Sequence, residues 1–264
     1  MNATGRRLGE VQYQGHVAID RAYGPLSLAI AEVVVRYATP DQHGILRLSL
    51  PARALILNEV GRLLDETRGK LLPVILASVQ AARDAAQEGY EPVPLPITEQ
   101  MDEITTVSQA LTTDRQSVLD QTGALLLAGI VARQAASMIA KRVKDYYSPW
   151  FSQYRDVNGK VLHTDRVGAI AHWPGRAGMA SAHSRTVMLT ETTRAHGAAM
   201  RRIAERDGLL LKWNLSPQHR EADACSTNAR RDNGYGPGVY TSRDFPAIPQ
   251  HVRCRCYAST AVRV

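Results

Sequence analysis

Ile248-Pro249-Gln250-His251-Val252-Arg253-Cys254-Arg255-Cys256, read together with His219-Arg220-Glu221-Ala222-Asp223-Ala224-Cys225, decides how the C-terminal part of this chain folds. These stretches hold all three cysteines of a 264-residue chain, with none before position 225. Thiols and imidazoles gathered over a short, loop-rich span are the donor set of a structural zinc site. Cys254-x-Cys256 on an extended segment puts both thiols on one face. Cys225 and one histidine then complete a tetrahedron. The expected ligands are His219, Cys225, Cys254 and Cys256. His251 is a substitute or supports the ligands from behind, and Asp223 is an alternative ligand or the carboxylate that orients a ligand histidine. Two other uses of the thiols compete with this one. A disulfide between Cys254 and Cys256 strains the bridge geometry, and Cys225 paired with either leaves an odd thiol. Silent free cysteines are the third use.

Working outward, the helix upstream carries Thr190-Glu191-Thr192-Thr193-Arg194-Ala195-His196. Glu191 and Arg194 are three apart and share a helical face. They are expected to anchor the helix to the cysteine module; the competing reading is a surface ion pair worth little. The helix runs from Ala180 to Arg206 and is closed by Asp207-Gly208. Leu209 to Asn214 reads as a strand. Asn158-Gly159, between Tyr154–Val157 and Lys160–His163, signals a hairpin. Trp173-Pro174-Gly175-Arg176-Ala177-Gly178 reads as loop.

Residues 1–150 read as a mainly α region of long helices, and residues 151–264 as a small α+β, metal-knotted module. Ile19 to Ala38 has helical spacing interrupted at Gly24-Pro25. Pro51 fits the first turn of a helix from Leu50 to about Gln87, with Leu55, Leu63, Leu71, Leu72, Ile75 and Val79 as its buried stripe and a kink expected near Pro73. Glu91-Pro92-Val93-Pro94-Leu95-Pro96 is an extended spacer, near 91–98. Ile104 to Tyr147 reads as helix again, with Asp114 as the N-cap of a second piece.

Composition bounds the function. Apolar residues make up 44% and charged residues 22%, as in a globular chain. The net charge is +7. From 201 to 264, eleven Lys and Arg face six Asp and Glu, a local excess of five positive charges that suits non-specific contact with DNA or an ordinary solvated surface. The apolar run Ala124–Ala132 is about half the length of a membrane span, so no membrane span is expected. The polar opening Met1–Arg7 gives the expectation of a chain without a secretory leader. No P-loop, GxGxxG or His-Glu-x-x-His motif is present. His183 and Ser184 are neighbours, which is not a triad. His163 on the hairpin is the only start of a nuclease-type metal pair.

In sequence order, Thr190 to Ala195, Lys212-Trp213, His219-x3-Asp223-x-Cys225, Asn233-Gly234-Tyr235-Gly236 and Ile248 to Cys256 together resemble the phage head morphogenesis domain of Mu F-like minor head proteins, over roughly residues 165–258. The family usually has proline directly after the histidine matched by His251; Val252 stands there in this chain. The resemblance implies a structural and assembly protein of a tailed-phage head, without enzyme activity. It would be assembled in the host cytoplasm, located in the virion, oligomeric on the particle and bound to portal or capsid protein. The alternative readings are a zinc-containing nuclease or toxin-like enzyme carried with the head, and a basic DNA-binding module inside the virion.

Overall fold

The computed structural model describes residues 3–148, 154–155, 161–163, 179–217, 219, 222–251 and 254–261, with the backbone alone at 154–155, 161–163 and 179. Helices dominate: α1 (Ala3–Arg36), α2 (Leu50–Gln87), α3 (Ile97–Val131), α4 (Ala136–Tyr147), α5 (Met179–Asp207) and the short α6 (Ala224–Arg230). The first five pack into a bundle. A small sheet at the C-terminal end has the order β6 (Val239–Tyr240), β5 (Leu210–Asn214), β7 (Tyr257–Ala261), and all its pairings are antiparallel. β1 (Thr39–Pro40) pairs with β2 (Leu46–Arg47) in the α1–α2 connection. β3 (Tyr154–Arg155) pairs antiparallel with β4 (Val161–His163), as the hairpin signal requires. Its Asn158-Gly159 turn and the expected loop at 173–178 lie outside the described residues.

The α1 stripe Leu8, Ile19, Tyr23, Leu26, Ile30, Val33 and Val34 is buried at helical spacing. α1 continues through Gly24-Pro25, where the sequence pattern places an interruption. Burial of Tyr23, Leu26 and Ile30 on both sides of the proline outweighs the lost backbone bond, a cost of about 3 kcal/mol. Ser49 caps α2, accepting a hydrogen bond from the Ala52 N–H at 3.3 Å, with Pro51 in the first turn. α2 then runs unbroken through Pro73. Its buried stripe is Ile56, Val60, Leu64, Leu71, Ile75 and Val79; the expected Leu55 is exposed, and Leu63 and Leu72 are partly buried.

The break in the third helical segment falls between Val131 and Ala136, not at Asp114. Arg133 takes a left-handed conformation (φ 50), and the Gln134 and Arg133 N–H groups return to the carbonyls of Gly129 and Ile130, each at 3.0 Å. This closes α3 as a left-handed turn. Asp114 lies inside α3 and points into the bundle, where local capping preference does not decide.

α5 belongs to two cores. Ala180, Met188, Leu189 and Ala195 join the helical core with α1 and α2. Ala199, Met200, Ile203 and Ala204 join a second core with Trp213, Tyr240, Phe245, Ile248 and the three cysteines. Gly208 (φ 64) turns the chain from α5 into β5.

Candidate metal centre

The centre is assembled from three segments. Asp223 caps α6: its side chain accepts from the Ser226 N–H at 3.1 Å, which places Cys225 in the first helical turn. Cys254 and Cys256 stand just ahead of β7, and the Cys254 N–H is held by the His251 carbonyl at 3.2 Å. His219 sits on the β5–α6 connection, its N–H bonded to the Ser216 carbonyl at 2.9 Å.

All three thiols are buried and unbridged. Cys225 Sγ lies 3.5 Å from Cys254 Sγ, and Cys256 Sγ lies 4.0 Å from His219 Nδ1. A disulfide needs about 2.05 Å. A tetrahedral zinc with ordinary Zn–S and Zn–N bonds has S···S and S···N edges of ~3.8 and ~3.6 Å. These two edges each lie within a few tenths of an ångström of such values, but Cys256 belongs to neither group of donors found within 4.8 Å of one another among the described residues.

The two histidines differ. The His219 side chain is 9% exposed, and its Nε2 meets Ser226 Oγ at 2.9 Å and Asp223 Oδ1 at 3.2 Å, leaving Nδ1 toward Cys256. The His251 side chain is 43% exposed, and its Nε2 lies 3.1 Å from Asp223 Oδ2. One carboxylate therefore holds both imidazoles, the arrangement that sets tautomer and orientation in ligand histidines. Donor atoms of Cys225, Cys254 and His251 lie within 4.8 Å of one another, as do those of His219, Asp223 and His251. His251 is thus close enough to complete the site from the solvent side.

Electrostatics favour a shared negative charge. Bonds from the Cys256 side chain and from the Cys256 and Gln250 backbone hold the Cys254 thiol down at about 5. Burial, then the neighbouring Cys254, pushes Cys225 up to about 12, and the bond to Cys254, then burial, pushes Cys256 up as well. A cation at this point would neutralise what burial otherwise penalises.

The expected Glu191–Arg194 anchor takes a different form. Glu191 is buried and pairs with Arg194 on the helix itself, while Arg194 is half exposed. Desolvation raises the Glu191 carboxyl against the opposing pull of Arg194, with Glu103 of α3 adding to the rise. Among the described residues, Thr193 and Arg201 bond from α5 into the cysteine module. Thr193 Oγ1 donates to the Cys254 carbonyl at 3.0 Å and accepts from Gln12 Nε2 at 3.2 Å; Arg201 donates to the Phe245 carbonyl. Thr193 lies in the motif already singled out, but its hydroxyl gives no sign of a long-range partner. The His163 side chain lies outside the described residues.

Comparison with family models, with curated proteins and with solved structures finds no match to this chain.

Proposed function

We propose that this chain is a structural assembly protein of a tailed-phage head: a minor head protein bound at the portal or to capsid protein, with a zinc ion knotting its C-terminal module. The observation that supports the reading is the cluster of Cys225, His251 and Cys254, whose donor atoms lie within 4.8 Å of one another, with Cys256 and His219 adjoining it. These residues belong to the motifs on which the head-protein resemblance rests. Cys225, Cys254, Cys256 and His219 are the proposed ligands; His251, held by Asp223, stands beside them.

Four protein ligands leave no position for reacting water, so the ion's role is to hold the fold. A module this small has a limited core of its own, and metal binding then supplies folding energy. The binding surface in this reading is helical. α2, at 38 residues, is about 57 Å long. On α3, Ile97, Met101 and Ile104 are 78%, 58% and 40% exposed at i, i+4, i+7 spacing, a stripe suited to a partner chain. The basic C-terminal surface would lie near packaged DNA. No helix among the described residues is long and apolar enough to cross a membrane.

Crosslinking mass spectrometry of purified particles tests the reading. Crosslinks from residues 97–104 to portal or capsid protein are expected. A chain absent from particles, or metal-dependent DNA cleavage by the purified protein, overturns it.

A further inference from the structure

Asp114 of α3 lies where α1, α3, α4 and α5 meet, and its side chain is only 8% exposed. Ser184 Oγ of α5 donates to Asp114 Oδ2 at 3.3 Å, and Ser184 in turn lies 3.0 Å from the Tyr23 hydroxyl of α1. His183 Nδ1 of α5 is 3.7 Å from Asp114 Oδ1. Tyr146 and Tyr147 of α4 are close enough to feel the carboxyl's charge. Arg68 of α2 acts on it through space; its terminal nitrogens are engaged by Thr112 at 2.6 Å and Asp65 at 3.4 Å, and its Nε is buried without a hydrogen-bond partner among the described residues. Among the described residues, Asp114 Oδ1 and the Tyr146 hydroxyl are buried without hydrogen-bond partners. No guanidinium or ammonium forms an ion pair with this carboxyl among the described residues.

We propose that Asp114 is a proton-operated latch. The carboxylic acid closes the contact of α5 with α1, α3 and α4; the carboxylate loosens it. A neutral carboxyl fits this site: it has a proton to give, and it puts no charge among three tyrosines and a serine. An ionised one must be desolvated with the Ser184 hydroxyl as its one hydrogen-bond donor among the described residues and the His183 ring 3.7 Å away. The helix released is the one against which the cysteine module packs, so the latch sets how firmly the C-terminal module is tied to the bundle.

Burial pushes the Asp114 carboxyl up to about 7, against the opposing effects of Ser184 and Arg68. For an acid raised in the folded state, the folded chain holds the proton where the unfolded chain has lost it. Stability therefore falls as pH rises from the ordinary carboxylate range toward 7, and the loss is complete above it. With a folded value of about 7, the closing equilibrium weakens about tenfold between pH 6 and 8.

The test compares the full-length chain with Asp114→Asn, which keeps the shape and stays neutral. Hydrogen-exchange protection of residues 180–190 is measured at pH 6 and pH 8. The ratio of wild-type to variant protection should fall about tenfold across that interval. Titrations elsewhere in the chain are common to both proteins and cancel. A ratio that does not change overturns the latch. Should the variant not fold, a carbon-13 titration of the wild-type aspartate carboxyls decides. One aspartate titrating near neutral pH, and moving in Ser184→Ala, supports the proposal; none doing so sinks it.

Discussion

Gly197 on α5 stands so close to Ile248 that a Cβ built on the glycine would lie 1.9 Å from Ile248 Cγ2 and 3.4 Å from Ile248 Cβ. Helix and module meet backbone to side chain, with no room for a methyl group. Gly197→Ala should therefore destabilise the fold by about 1–3 kcal/mol, through overpacking. Ile248→Ala opens the space. In a double-mutant cycle by urea unfolding, the pair should cost less than the sum of the single changes. Strict additivity would show that the two residues do not meet.

Metal content separates the two histidines. Protein purified without chelators should carry about one zinc per chain, measured by elemental analysis. His219→Ala should lose it and lower Tm by several degrees, whereas His251→Ala should lose little. Cys225→Ser, Cys254→Ser and Cys256→Ser should each behave like His219→Ala. The opposite ranking of the histidines would move the fourth ligand to His251. No bound metal in any preparation would remove the zinc reading altogether.

Acid should loosen the α5 region through its buried imidazoles. Burial holds His196 down at about 4, and His16 at about 3, the latter helped by Arg255 and Arg185. A base lowered on folding binds fewer protons in the folded chain than in the unfolded one. Its contribution is fully present above about 6.5 and is lost as pH falls toward the folded value. For His196 the loss is on the order of 3 kcal/mol between pH 6.5 and 4. Both ring nitrogens of His196 lack hydrogen-bond partners among the described residues, so His196→Leu should fold and should flatten this arm of the pH–stability curve. An unchanged acid arm would contradict the burial of His196. Asp114 titrates in the opposite sense, so the acid loss stands out best in an Asp114→Asn background.

The exposed α3 stripe distinguishes binding from stability. Ile97→Ser with Met101→Ser should leave Tm within about 1 °C, because both side chains already face solvent. The same pair should reduce incorporation into particles, read by quantitative mass spectrometry. Normal incorporation would place the docking surface elsewhere.

Features set by local chemistry were legible in the sequence. Pro51 marks the first turn of α2, the alternating prolines at 92, 94 and 96 separate α2 from α3, and Gly208 closes α5. Features set by packing were not. Asp114 has the residue type of an N-cap, yet burial in the bundle keeps it inside α3. The actual break uses Arg133 in a conformation normally left to glycine, and its side chain carries no such signal. Pro25 reads as an interruption until the buried residues around it are known. At the candidate site, the cysteines and histidines were visible because few residue types do their work. Thr193, Gly197 and Arg201 were invisible as contacts, since a hydroxyl, a missing methyl and a guanidinium suit any helix surface.

A helix that forms a wall of both cores is also the load path between them. Tension on β7 is resisted first by its ladder with β5, then by Thr193 holding the Cys254 carbonyl, and by the Gln12 amide behind that hydroxyl. From there the load passes into α5, whose 29 residues pack into both cores. Anything threaded past or pulled from the C-terminal end would feel the whole bundle as its anchor.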